Sequence, residues 1–194
     1  EEMEPEARAN IIESLTDTKA AELLEKMPSD EVADILDAIH PDKAERILRE
    51  MNRETSDEVR ELMEYPEGTV GSVMSTDYLA FSSDYTVGDV FLELRRLKPE
   101  ADTINYIYVV DENERLLATV SLRDLVISEP NVKLSQIMDK EFISVYDDDD
   151  IETLNEIVYK YNLLAVPVIN RDEFLLGIVV VGDVVDNLLH EKYK

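Results

Sequence analysis

The hydrophobic pattern near the C-terminal end of the chain predicts a β-hairpin followed by a helix. Residues 163–186 contain an apolar run, a polar turn over Asn170–Glu173 and a second apolar run over Leu175–Val181. Short runs rich in β-branched residues are typical of buried strands. Pro167 interrupts the first run, and we therefore expect an edge strand or the start of a strand there. Asp183 then opens the helix.

The same pattern occurs earlier in the chain, which indicates an internal repeat of roughly 60 residues. The earlier hairpin and helix start lie 59 positions upstream, so that Asp124 aligns with Asp183. Ahead of each hairpin a second block recurs at an offset of 64, which aligns Val87 with Ile151. Each copy therefore predicts a strand, a helix, two strands and a helix, with the first helices beginning near Val87 and Ile151.

Residues 16–63 carry a second repeat, in which apolar positions recur every 12 residues. The columns in register are Leu24, Leu36 and Leu48; Leu23, Ile35, Ile47 and Val59; and Met27, Ile39, Met51 and Met63. Turn signals at Pro28 and Pro41 separate units of about two helical turns, since proline suits the first turn of a helix. No unit can bury its narrow apolar stripe alone, so the units should stack as a superhelix. We expect the methionines to lie in its core.

The doubled pattern resembles a tandem pair of CBS (cystathionine-β-synthase-type) domains. The most specific segment is LAVPVI…LLGIVVVGDVV, and YIYVVD…VSLRDL over Tyr106–Leu125 is its counterpart in the first copy. With the helical segment before it and the junction Tyr65–Met74, the chain resembles the cytosolic portion of MgtE-type magnesium transporters.

This resemblance implies an α+β chain: an all-α superhelical N-terminal domain followed by a tandem pair of α/β CBS repeats. The expected boundaries are 1–65 for the helical domain, 66–129 for CBS domain 1 and 130–188 for CBS domain 2, with a connecting helix starting over 183–194. Because that helix is still running at Lys194, we expect the natural protein to continue.

The composition argues against catalysis. The chain has no cysteine, and its two histidines, His40 and His190, lie in no catalytic or metal-ligand spacing. Its five glycines are scattered singly, so that no phosphate-binding loop is formed. No apolar run reaches the roughly 20 residues that a membrane span requires. We therefore expect a soluble chain that is not an enzyme.

The charge is the extreme feature of the composition. There are 45 acidic against 19 basic residues, a net charge of −26, and residues 1–65 alone carry 20 acidic and 8 basic residues. Such a chain lacks the basic patches that nucleic acids require. Two interpretations remain open: a solvated surface, as in a salt-adapted organism, or a protein whose compaction depends on cations.

A nucleotide site is predicted where the first hairpin meets its helix, at Ser121-Leu122-Arg123-Asp124. The resemblance to CBS pairs implies that Asp124 accepts hydrogen bonds from the ribose hydroxyls of ATP or AMP, with Arg123 near the phosphate. Tyr106 and Leu163 would flank the adenine, and Ile143 would offer its backbone. The alternative is that Asp124 only caps a helix starting at Leu125. In the second copy Val180 replaces the serine, so we expect no second nucleotide there.

A cation site is predicted around the acidic run Asp147–Asp150. Acids at a helix start can serve as caps, but one cap needs only one of the four. The resemblance to MgtE implies hydrated Mg²⁺ ions between the domains, and oxygen ligands suit that ion. The candidate ligands are Asp150, Glu152, Asp183, Asp186 and Glu191. The family carries an acid where Asn162 stands here.

The resemblance implies a regulatory region at the cytoplasmic face of the cell membrane that senses Mg²⁺ and gates a transmembrane pore domain of the same full-length chain. We also expect a homodimer through the CBS domains, from the apolar stripes Val90, Leu94 and Leu97, and Leu154, Ile157 and Val158. The alternatives are a free-standing CBS-pair nucleotide sensor that regulates a partner and a purely structural dimerisation module. Hydrophobic spans encoded beyond Lys194 would favour the transporter.

Overall fold

The computed structural model describes residue 3, residues 5–99 and residues 103–180. The chain divides into two compact units, Glu1–Glu67 and Gly68–Lys194. The predicted helix from Asp183, and with it the connecting segment 183–194, lies outside the described residues.

The first unit is built from short helices. Their bounds are α1 Pro5–Ser14, α2 Asp17–Leu24, α3 Ser29–Asp37, α4 Pro41–Glu50 and α5 Arg53–Met63. From α2 onwards the helices begin every 12 residues, which confirms the predicted period. Helix α1 packs on α3, α2 on α4 and α3 on α5, so each apolar stripe is covered by the helix after next.

Among the leucine, isoleucine and valine positions of the predicted columns, burial has one exception. The leucine column is buried throughout, with Leu24, Leu36 and Leu48 between 0% and 4% exposed. Leu23 is the exception, since it is 44% exposed. The expectation that the methionines lie in the core is confirmed for Met51, whereas Met27 and Met63 are only half-buried.

Several basic residues of this acidic unit form ion pairs between neighbouring helices. Asp17 of α2 accepts from Lys43 Nζ at 2.7 Å and from Arg46 Nε at 2.9 Å, both on α4. Arg60 of α5 lies 2.9 Å from Glu45 of α4. Each exposed ion pair contributes little alone, yet together they place positive charge beside acids at the contacts between helices.

The second unit contains the two predicted repeats. The first comprises β1 Ala80–Ser82, α6 Val87–Leu97, β2 Tyr106–Val110, β3 Leu116–Ser121 and α7 Leu122–Ile127. The second comprises α8 Leu134–Ile137, β4 Val145–Tyr146, α9 Ile151–Tyr161, β5 Ala165–Ile169 and β6 Leu175–Val180. The sheet orders are β1-β2-β3 and β4-β5-β6, each with a parallel first pair and an antiparallel hairpin. The predicted element order is thus confirmed within the described residues.

The position of Pro167 corrects the sequence-based expectation of an edge strand. Pro167 is the third of five residues in β5, the central strand of its sheet. Pro167 is tolerated because its partner on β6, Ile178, forms its backbone hydrogen bonds with Ser75. Ile178 therefore needs no N–H donor from Pro167. On the other side β4 pairs only with Val168 and Ile169, so no ladder bond is lost.

Each repeat completes the sheet of the other. Ser75, ahead of the first repeat's β1, exchanges two backbone hydrogen bonds with Ile178 of β6, both 2.8 Å. At the equivalent place Asp139 exchanges bonds of 2.8 and 2.9 Å with Thr119 of β3. The two halves therefore interlock through backbone groups that would otherwise lie at a sheet edge.

The hairpin turns also pair across the two repeats. Leu116 N donates to Glu173 O at 3.0 Å, and Leu175 N donates to Glu114 O at 3.2 Å. Glu114 and Glu173 have φ of 65° and 69°, in the left-handed region that costs most side chains about 1–2 kcal/mol. The guanidinium of Arg115 covers the ring of Phe174 at 5.5 Å, which adds a contact to this junction.

The expectation that two apolar stripes are left over for a partner is wrong in part. Val90 and Leu154 are both 0% exposed and belong to the cores of their own repeats. Leu94 packs against the first repeat's core as well. Of the first stripe, Leu97 remains exposed, at 47%. A helix periodicity alone cannot tell the face that packs on the helix's own sheet from a face that meets another chain.

The fold predicts that exchanging glycine and alanine at the equivalent positions 177 and 118 destabilises the protein in both directions. A Cβ on Gly177 would lie 2.6 Å from Ser75 O, so Gly177→Ala should cost about 1–3 kcal/mol. Ala118→Gly should cost about 0.5–1 kcal/mol, because glycine weakens a strand interior. Denaturant unfolding measures both, and a Gly177→Ala protein as stable as the wild type would contradict the close approach.

Candidate functional site

The junction of β3 and α7 holds the predicted nucleotide-binding residues. Ser121 ends β3 and caps α7, its Oγ accepting from Asp124 N at 3.1 Å. The helix therefore starts at Leu122, and Asp124 falls within its first turn. The alternative in which Asp124 caps a helix beginning at Leu125 is wrong, because Ser121 already occupies the capping position.

The Asp124 carboxylate is held in one orientation. Ser121 Oγ donates to Asp124 Oδ2 at 2.5 Å, and Arg123 Nη1 lies 3.6 Å from Oδ1. The side chain of Asp124 is 41% exposed and that of Arg123 is 79% exposed. A fixed and accessible carboxylate beside an exposed guanidinium suits a ligand that carries both hydroxyls and phosphate.

Tyr106 lies beside this junction, because it pairs with Ser121 across β2 and β3. It is half-buried and packs in the apolar cluster between the two repeats, which also contains Phe142. Ile143 follows Phe142, so the second repeat brings the predicted Ile143 backbone towards this cluster. Leu163 is half-buried two residues before β5 and, within the described part of the chain, is not a member of the cluster.

The sequence-based prediction missed Tyr108, which lies two residues beyond Tyr106 on the same face of β2. Its side chain is 1% exposed, and its hydroxyl has no hydrogen-bond partner among the described residues. Burial, and secondarily the nearby Tyr106, raises the pKa of the Tyr108 hydroxyl well above its ordinary range. The signal was present in the alternation of YIYVV, which places both tyrosines on one face.

The acidic run has structural partners for three of its four carboxylates. Asp150 caps α9, its Oδ1 accepting from Thr153 N at 2.7 Å. Asp149 Oδ2 accepts from Tyr146 N at 2.9 Å. Asp148 pairs with Arg171 through bonds of 2.5 and 3.3 Å, and this guanidinium lies 3.8 Å from the centre of the Tyr146 ring.

The backbone of the acidic run anchors the beginning of the second unit. Val70 N donates to Asp149 O and Gly71 N to Asp147 O, both at 2.8 Å. Ile151 N in turn donates to Gly68 O at 3.2 Å. The backbone of this run thus joins the junction segment to the start of α9, while the Asp150 side chain caps that helix.

The described residues do not assemble the predicted cation site by themselves. No group of three or more histidine, cysteine, aspartate or glutamate side chains there is placed to hold a metal ion. Glu152 is exposed on the first turn of α9, next to Asp150. The other candidates, Asp183, Asp186 and Glu191, lie outside the described residues, and their role stays a prediction.

Asn162 has a structural reason to replace an acid. It ends α9 with φ of 51°, in the left-handed region where asparagine is favoured. Lys98 ends α6 at the equivalent position with the same φ. The left-handed backbone at position 162 therefore favours asparagine for a structural reason, whether or not the position also binds an ion.

Comparison with known proteins matches both units. Residues 1–68 match the MgtE intracellular N domain, and residues 70–129 and 134–190 match the CBS domain. The soluble part of a magnesium transporter superposes with a TM-score of 0.91 at 31% identity, over 96% of this chain and 73% of that one. The cytosolic domain of the Mg²⁺ channel MgtE in complex with ATP superposes with a TM-score of 0.89 at 35% identity, over 95% and 76% of the respective chains.

The chain belongs to the MgtE family. The magnesium transporter MgtE of Thermus thermophilus is 38% identical over 138 residues, which are 71% of this chain and 31% of that protein. The chain thus spans about a third of the length of the curated relatives that it matches. Across its described residues, no helix is both long and apolar enough to cross a membrane.

The cap formed by Asp150 predicts a specific pH dependence. Its hydrogen bond from Thr153 N holds the pKa of Asp150 below its ordinary value of 3.8. A lowered folded-state pKa gives stability that is present above the unfolded pKa and is lost as pH falls through the folded one. Asparagine also caps helices but does not titrate, so Asp150→Asn should lose less stability than wild type between pH 5 and pH 2.

Chemical denaturation across this pH range measures the difference. Glu152→Gln is the control, because it removes an acid from the same turn and leaves the cap intact. Parallel pH profiles for wild type and Asp150→Asn would contradict the capping role of the charged carboxylate.

Proposed function

We propose that this chain is the regulatory part of a magnesium transporter, in which it binds Mg²⁺ and an adenine nucleotide and controls a transmembrane pore domain. Its place would be the cytoplasmic face of the cell membrane. The observation that carries the proposal is the similarity, over 95% of the chain, to the cytosolic domain of a Mg²⁺ channel in complex with ATP. Two features of the chain's own residues support it.

The first feature is the orientation of Asp124 by Ser121, with Arg123 and Tyr106 beside it. A vicinal diol donates two hydrogen bonds, and a carboxylate presents two oxygens that accept them. Arg123 is exposed and unhindered enough to meet a phosphate. Bound ATP or AMP would thus place its ribose at Asp124, its base towards Tyr106 and its phosphates towards Arg123.

The second repeat lacks one part of this arrangement. Val180 occupies the position of Ser121, so no side-chain hydroxyl there can both cap a helix and orient an acid. We therefore propose one nucleotide per chain, held at Asp124.

Calorimetry with ATP and AMP tests this part of the proposal. We expect one site per chain in the wild type, loss of binding in Asp124→Ala and little change in Asp183→Ala, the equivalent acid of the second repeat. The reverse behaviour of the two variants would place the site in the other repeat and overturn the assignment.

The second feature is the concentration of carboxylates. Partial burial of its carboxyl, and then repulsion by Asp37, raises the pKa of Asp34 on α3; burial and Glu67 raise that of Asp37. Such groups are costly to keep charged, and a nearby cation relieves that cost. Asp150 is ionised more readily than an ordinary aspartate, so it retains its charge for a cation.

We propose that Mg²⁺ acts on this charge as a regulatory ligand. The two units carry 21 and 24 acidic residues, and Mg²⁺ needs only one or two carboxylates while it keeps several waters. Asp150 and Glu152 would hold it together with Asp183, Asp186 and Glu191. An ion that binds only a compact form stabilises that form by about 2.7 kcal/mol at a hundredfold excess over its dissociation constant.

Small-angle scattering tests the role of Mg²⁺. We expect a smaller radius of gyration in millimolar Mg²⁺ than in KCl of equal ionic strength, since one divalent ion can be shared between several carboxylates. Asp150→Ala combined with Asp183→Ala should reduce the compaction. Equal compaction in KCl would show that the acids form only a solvated surface.

The forward scattering of the same samples tests the proposed homodimer. Apolar side chains remain exposed on α6 and α7, with Leu92 at 62% and Val126 and Ile127 at 65% each. A second CBS pair would cover such residues. We expect twice the chain mass of 22.2 kDa, and a monomer at tens of micromolar with and without Mg²⁺ would contradict the dimer.

A further inference from the structure

One polar atom in the core between the two CBS repeats lacks a partner. Among the described residues nothing forms a hydrogen bond with the Tyr108 hydroxyl, although the side chain is 1% exposed. Burying a hydroxyl without a partner destabilises the fold by the full free energy of desolvating that group. Such groups are rare in native proteins, and each one calls for an explanation.

The packing of the fold does not require this hydroxyl. The buried residues that Tyr108 packs with, Leu116, Ile169, Leu175 and Ile178, are all aliphatic, and a phenylalanine ring would fill the same space. The equivalent position of the second repeat is Pro167, which has no polar side-chain atom. The hydroxyl is therefore specific to the repeat that carries Ser121 and Asp124.

The position of Tyr108 relates it to the candidate nucleotide site. Tyr106 and Tyr108 share one face of β2 at a separation of about 7 Å. Their partners on β3 are Ser121 and Thr119. Exposure falls along this line of residues: the Asp124 side chain is 41% exposed, Tyr106 is half-buried and Tyr108 is 1% exposed.

The side chains around Tyr108 are aromatic. Tyr78 meets its ring edge to face at a centroid distance of 6.4 Å, and Tyr106 is near enough to affect its ionisation. Tyr78 is itself fixed by a hydrogen bond to Leu175 O at 3.2 Å. Tyr106, by contrast, is partly exposed and pairs on β3 with Ser121, next to the candidate site.

We propose that Tyr108 is a specificity-determining residue of the nucleotide site, whose hydroxyl forms a hydrogen bond with the polar edge of the adenine base. This inference rests on the proposed function, because it takes the ribose to be held at Asp124. A tyrosine hydroxyl both donates and accepts. It therefore matches a purine edge that presents a ring nitrogen acceptor beside an amino donor. The adenine base would thus supply the hydrogen-bond partner that the Tyr108 hydroxyl lacks within the described residues.

The test is the affinity of Tyr108→Phe for ATP, measured by calorimetry beside its stability without ligand. We expect about three- to tenfold weaker binding, the effect of one neutral hydrogen bond. The ligand-free variant should be as stable as the wild type or more stable, because an unpaired buried hydroxyl has been removed. A residue with only a packing role would not weaken binding while preserving stability.

Tyr78→Phe is the matched control. It removes a hydroxyl from the same cluster, but one that donates to Leu175 O, so we expect lower stability and an unchanged affinity for ATP. Equal affinity of the wild type and Tyr108→Phe would overturn the role of Tyr108 and leave the nucleotide site standing. Absence of ATP binding by the wild type would overturn both.

A second measurement does not depend on a variant's stability. In protein labelled with ¹³C at the ζ carbon of tyrosine, the Tyr108 resonance is identified by its loss in Tyr108→Phe. We expect this resonance to shift on addition of ATP, since the carbon bears the hydroxyl that gains a partner. A Tyr108 resonance that stays in place while the Tyr106 resonance shifts would show that the base does not reach Tyr108.

Discussion

The structure of the second unit depends on one exchange of backbone hydrogen bonds, made twice. Ser75 pairs with Ile178, and Asp139 pairs with Thr119, so each repeat supplies an edge that the other's sheet lacks. Neither repeat can therefore leave its partner without exposing unpaired N–H and C=O groups and the apolar cluster beneath them. The apolar cluster between the repeats, which contains Tyr108 with Tyr106 packed against it, is held together by this interlock.

The two repeats share a fold but differ at the positions where function is expected. Ser121 orients Asp124 in the first repeat, while Val180 stands at the same place in the second. Tyr108 brings a hydroxyl into the core, while Pro167 brings no polar side-chain atom. The two copies thus share a hydrogen-bonded backbone frame and differ in individual side chains. This asymmetry supports the proposal of one nucleotide site per chain.

The acidity of the chain is accommodated within each unit by using many acids structurally. Asp150 caps α9, Thr86 and Asp89 form a capping box at α6, and Asp111 accepts from backbone N–H groups of its own turn. Lys43 and Arg46 are placed against Asp17 where helices meet. Most of the remaining acids stay on the surface, where their repulsion is weakened by water and salt. That residual charge is what the proposed binding of Mg²⁺ would offset.

The sequence by itself determined the repeats, because periods of 12 and about 60 residues follow from local apolar spacing and survive without knowledge of any contact. It determined the hairpins, the helix starts at Val87 and Ile151, and the family to which the chain belongs. It left open whether Asp124 caps a helix beginning at Leu125, since Ser121 and Asp124 can both act as caps and only the observed start at Leu122 chooses between them. Tertiary structure alone decided which apolar faces pack inside a repeat, why a proline is tolerated in the central strand β5, and that the Tyr108 hydroxyl is buried without a partner. These outcomes depend on which backbone groups of distant segments meet, and a linear pattern of apolar and polar residues does not contain that information.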